Sequence, residues 1–187
     1  MKNSSYFICV LLLQGNVSKT LDLISKIVGS IKKSTIDSAL LPFKIPMMNS
    51  TRWSSQYAML VMFLKASEAE LAKFDQMNSI KTHGKPTATD MKIVKELVHL
   101  LGPFKEFTGV MQREFECIGF VIPAYVEMRK KLSRNLDVNP RCSNITFCRT
   151  VMKILDESLE KRLAHVLNDK IYILGKFNLC LNMIAKI

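Results

Sequence analysis

An all-α fold, an irregular bundle of about five to six helices, follows from three features of the chain. Only 7 glycines and 6 prolines interrupt its 187 residues. Apolar residues recur in steps of three and four over long stretches, the spacing that gathers them on one face of a helix. The every-second-residue alternation that marks a half-buried strand is scarce. With 48% hydrophobic residues the chain can bury one sizeable core, and one domain is the natural expectation at this length.

Residues 1–16 form a leader: one lysine, then the short apolar run Phe7 to Leu13. The run is short for a signal-peptide core and no small-residue cleavage site follows it. From Asn16 to about Leu41 the residues Val17, Leu21, Ile24, Val28 and Ile31 make a one-sided stripe, while Lys19, Lys26 and Lys33 share the opposite face. That lysine row suits either a phosphate backbone or plain solvent. Pro42 and Pro46 then impose an extended connector.

Asn49, Ser50 and Thr51 can accept from the free N–H groups of a first helical turn, so a helix is expected to start there and run to about Phe74. Trp53, the one tryptophan, heads its stripe with Tyr57, Leu60, Leu64 and Leu71. Arg52 lies beside it. An indole next to a guanidinium can stack on a base while the cation meets phosphate. The same ring can equally be a core anchor, with Arg52 a surface charge.

Gly84 and Pro86 mark residues 78–87 as a loop. Thr87 or Thr89 caps the next helix, whose stripe runs Ile93, Val94, Leu97, Leu100, Leu101, Phe104, Phe107, Met111, with a kink expected at Pro103. After a break at Cys117 to Gly119, Pro123 suits the first turn of a helix ending in Arg129, Lys130, Lys131 and Arg134. These four make the densest basic group. They serve either as a nucleic-acid contact or as cations favoured at a helix C-terminus. Asn144 is the expected cap of a last long helix carrying Phe147, Val151, Ile154, Leu155, Leu159, Leu163, Val166 and Leu167. Residues 176–187 form an apolar tail, too polar and short for a membrane span.

A formal charge of +11 and a pI near 9.5 suit a polyanionic partner, DNA foremost, although the excess is spread along the chain. The five cysteines are odd in number and none forms a C-x-x-C pair; His83, His99 and His165 lack ligand spacing. Neither a disulfide framework nor a zinc knuckle is expected, and a nuclear or cytoplasmic chain fits better than a secreted one. The N-x-[ST] triplets at Asn3, Asn16, Asn49 and Asn144 are of a frequency that chance supplies in such a chain. No Gly-rich phosphate loop, Ser/His/Asp set or Cys/His pair points to a cofactor or small-molecule substrate.

The segment Thr51-Arg52-Trp53-Ser54-Ser55-x-Tyr57-x-Met59-Leu60, followed by Phe63-Leu64, resembles the T-R-W-[NS]-S-x-Y-x-M-L segment of hAT-family transposases and their BED-finger relatives. Three blocks agree in order: Val17-Ser18-Lys19 through Ile31-Lys32-Lys33-Ser34, Leu100-Leu101-Gly102-Pro103-Phe104 to Thr108, and Val121-Ile122-Pro123. The resemblance covers residues 17–175. It implies the helical insertion domain of an RNase H-like transposase. In that family three acidic residues hold the catalytic metal ions; the resemblance puts the first two before residue 17 and the third beyond residue 187, so no catalytic or metal-binding residue is expected here. In the resembled enzymes the Arg-Trp pair helps hold a flipped base, which makes Arg52 and Trp53 the leading nucleic-acid-binding candidates, with Arg129, Lys130, Lys131 and Arg134 behind them. The expectation is a non-enzymatic, transposase-derived DNA-binding fragment. The alternative is a helical protein-interaction or dimerisation module.

Overall fold

The stripe that begins at Val17 becomes α1, Gly15–Lys33, in the computed structural model, which describes residues 15–49, 53–69, 71–112, 117–137 and 145–174. Val17, Leu21, Ile24, Ile27, Val28 and Ile31 are buried, and Lys19, Lys26 and Lys33 are exposed. Each of those aliphatic side chains contributes roughly 1.5–3 kcal/mol on burial, so packing rather than propensity holds the helix. The helix stops earlier than expected. Ser34 breaks it, accepting from Asp37 N at 3.1 Å and so capping a separate short helix, α2, Thr35–Ala39. Residues 41–48, with Pro42 and Pro46, are the expected non-helical connector.

Helix α3 is Trp53–Ala69, and helix continues on the far side of residue 70 through Phe74; residues 50–52 and 70 lie outside the described residues, and Asn49 is not helical. Asn49 is held instead by Ser55, whose hydroxyl accepts from Asn49 N at 2.8 Å and donates to Asn49 O at 3.3 Å. The buried face is also rotated from the expected one. It runs through Trp53, Gln56, Met59, Leu60, Phe63 and Ala66, with Tyr57 and Leu64 half-buried. Apolar residues surround most of this helix, so their spacing alone does not choose the inward face. Helix α4, Leu71–Gln76, is joined to α3 by the rings of Phe63 and Phe74, edge to face at 5.3 Å between centroids.

The expected loop at 78–87 holds a helix, α5, Asn78–His83, packed on α1. Gly84, at φ +92°, closes it by donating to Ile80 O at 2.9 Å. Helix α6, Ala88–Met111, opens with a capping box: Asp90 N donates to Thr87 Oγ1 at 3.1 Å, and Thr87 N to Asp90 Oδ2 at 2.9 Å. Ile93, Val94, Leu97, Leu100, Leu101 and Phe104 are buried as the stripe requires.

Helix α6 is continuous through Pro103, and the chain divides by its contacts into two compact units at His99 and Leu100. His99 supplies the carbonyl that residue 103 would bond were it not proline.

In the second unit, α7 spans Cys117–Asp137, so Cys117 to Gly119 is helix and Pro123 lies inside it rather than in its first turn. Helix α8 is Arg149–Leu163, its N-cap Cys148 without a side-chain cap bond; the expected cap, Asn144, lies outside the described residues. The α8 residues Val151, Met152, Leu155 and Leu159 are buried and α8 packs on α7. A 3-10 turn, Ala164–Leu167, follows, and Val166 joins Val121 and Ile122 in a core flanked by Val126, Leu163, Tyr172 and Ile173. Phe147 and Leu167, expected in the stripe, are 39% and 41% exposed because the α-helix does not reach them. Among the described residues there is no β-strand, and no helix is long and apolar enough to cross a membrane.

Candidate nucleic-acid interface

Trp53 is the first residue of α3, the position expected of it, yet its side chain is only 7% exposed. A ring so covered offers no face for a base to stack on. Burial of this depth fits the core-anchor reading of Trp53. Arg52 and the rest of residues 50–52 lie outside the described residues.

The basic group of α7 is divided by its surroundings. Arg129 Nε stands 2.8 Å from Asp156 Oδ1, its Nη1 3.5 Å from Glu160 Oε2, and the same nitrogen donates to Tyr125 Oη at 3.3 Å. Burial opposes the charge on Arg129, but the Tyr125 hydroxyl and the two carboxylates outweigh it and hold its pKa above the ordinary value. This guanidinium is thus a strut between α7 and α8. Lys131 Nζ approaches Glu106 Oε2 at 3.8 Å. Lys130 is exposed, and the Arg134 side chain lies outside the described residues. Of the six candidates, only Lys130 is placed as a free-standing surface cation.

Sequence spacing missed what the aspartates do. Asp37, 1% exposed, accepts from Asn78 N at 3.1 Å, Ser79 N at 2.8 Å and the Ser79 hydroxyl. Burial raises its pKa, and the Ser79 hydroxyl, the two backbone N–H groups and nearby Lys81 more than reverse that, leaving it below the ordinary carboxylate value. Asp90 is lowered too: burial works against it, while Thr20 Oγ1, donating at 2.6 Å, and Thr87 work for it. Asp169 accepts from Ile171 N at 2.9 Å. Asp37 and Asp90 cap the amino-terminal ends of α5 and α6. Among the described residues no cluster of three His, Cys, Asp or Glu is arranged to hold a metal ion.

Comparison with protein-family models, with curated proteins and with solved structures found no match to the chain.

Proposed function

We propose that the chain is a helical protein-interaction module, akin in origin to the insertion domain of a hAT-type transposase and working in the nucleus or cytoplasm without chemistry of its own. One inversion carries this reading. The single indole, which would serve DNA, is only 7% exposed, whereas Ile36, Ile171 and Leu174 stand 67%, 63% and 63% exposed. Ile171 and Leu174, three positions apart in helical residues 170–174, share one face, and a shared apolar face rather than a lone side chain is what a protein partner covers.

The test joins two measurements on the purified full chain. Cross-linking in cell extract should yield discrete adducts that disappear in an Ile171→Asp/Leu174→Asp variant of unchanged helicity. Binding to a labelled DNA duplex should be weak and collapse between about 0.05 and 0.2 M salt, as counterion release requires. Adducts indifferent to the double substitution, or duplex binding that survives the higher salt, would reject the module.

The DNA-contact reading retains one observation in its favour, the exposed row of Lys19, Lys26 and Lys33 on α1. Such a row supports sequence-independent, salt-sensitive attraction to phosphate and nothing finer. Replacing all three with glutamine and finding the salt dependence unchanged would remove it.

A further inference from the structure

Along the carboxyl-terminal half of α1 the connector folds back to leave a groove of about 450 Å³, within the range of ligand pockets. Its floor is aliphatic: Val28, Ile31, Leu41, Pro42 and Ile45. Met47 packs over α1 at Gly29, with its Cε 3.7 Å from where a β-carbon would stand, and is itself 39% exposed. The rim is cationic. Lys32 and Lys44 line the groove, and Lys65 Nζ lies 4.9 Å from the centre of the Phe43 ring. All three lysines are exposed, none forms an ion pair with a described residue, and no acidic residue is among the described residues that line the groove. Asp37, adjacent in sequence, spends its carboxylate on Asn78 and Ser79.

We propose that this groove receives a short acidic, aliphatic segment of a partner protein, bulky side chains seated on the floor and carboxylates facing Lys32, Lys44 and Lys65. This identifies the partner class for the module reading and rests on it. Charge complementarity selects the occupant. The chain's own leader, residues 1–14, is apolar but carries Lys2 and no acid, so it leaves the lysine rim unmatched. A nucleic acid would match the rim and waste the floor, where the one aromatic, Phe43, already has Lys65 over its face. An amphipathic helix laid in a groove uses apolar anchors three and four apart, and a groove this size accepts a few of them.

The experiment is fluorescence anisotropy with the full chain and a labelled peptide of about 14 residues, roughly four helical turns, with leucines at helical anchor spacing and glutamates between. Saturable binding is expected, weakened roughly tenfold or more by Lys32→Glu/Lys44→Glu, since opposed like charges cost at least that much. Both lysines are exposed, so the variant keeps its fold, checked by circular dichroism. A peptide with lysines for the glutamates should not bind. Equal binding of the two peptides, or wild-type affinity in the double variant, overturns the proposal. So does displacement of the acidic peptide by a synthetic peptide of residues 1–14, which assigns the groove to the leader. No peptide binding while the Ile171- and Leu174-dependent adducts persist overturns the groove alone; loss of both overturns the module with it.

Discussion

The carboxylate of Asp37, carried on α2, takes both the backbone N–H and the hydroxyl of Ser79, 42 residues later, and so caps a helix whose own N-cap position, Met77, contributes no side-chain bond. Helix α5 has six residues, too few to persist alone in water. Its existence depends on a group delivered by tertiary structure.

Replacing Asp37 with Ala therefore leaves buried donors unpaired and removes the cap. The expected cost is about 2–3 kcal/mol, read as a lowered midpoint in urea unfolding followed by circular dichroism. A midpoint equal to wild type would show that α5 does not need the carboxylate.

The pH dependence of stability carries the same sign for Asp37 and Asp90. Both are lowered from the ordinary value of 3.8, so the folded state holds the proton less tightly than the unfolded state. Their contribution is fully present above the unfolded pKa and is lost as pH falls through 3.8 toward the folded-state value. Urea midpoints of wild type and Asp37→Ala should differ at pH 7 and draw closer as pH is lowered below 3.8; a constant gap would contradict the charged cap.

Arg129 and Lys130 are neighbours with opposite duties. Arg129→Ala strands Asp156 between two helices and should cost about 1–3 kcal/mol. Lys130→Ala should change stability by about 0.5 kcal/mol or less. Thermal melts of the two variants compare them directly, and equal, small effects would show that Arg129 is a surface charge after all.

Gly84 closes α5 at φ +92° with nothing near the position of an added β-carbon. The cost of Gly84→Ala is therefore backbone strain alone, about 1–3 kcal/mol. Urea unfolding should register it; a neutral substitution would mean the backbone there relaxes freely.

What the chain revealed in advance was what is local. The four-and-three stripe from Val17 to Ile31 and the Thr87 cap before Ile93 each depend on residues a few positions apart, and both stand in the structure. Helix α5 was hidden because its cap lies 41 and 42 residues away from the N–H groups it serves. The fate of Arg129 was hidden likewise, its carboxylates arriving from α8. For Trp53 the sequence left two environments open, since an aromatic at a helix start can face the core or a ligand. The lysine-rimmed groove was invisible because α1, α2 and the connector each supply part of its lining, and α3 brings Lys65 over Phe43.

Because Trp53 is the one tryptophan, its fluorescence reports the central issue without a label. Quenching by acrylamide, measured with and without single-stranded and duplex oligonucleotides, should be slow, with blue-shifted emission and no change on adding either nucleic acid. Rapid quenching that an oligonucleotide suppresses would contradict the account, returning the indole to the surface and the chain to DNA.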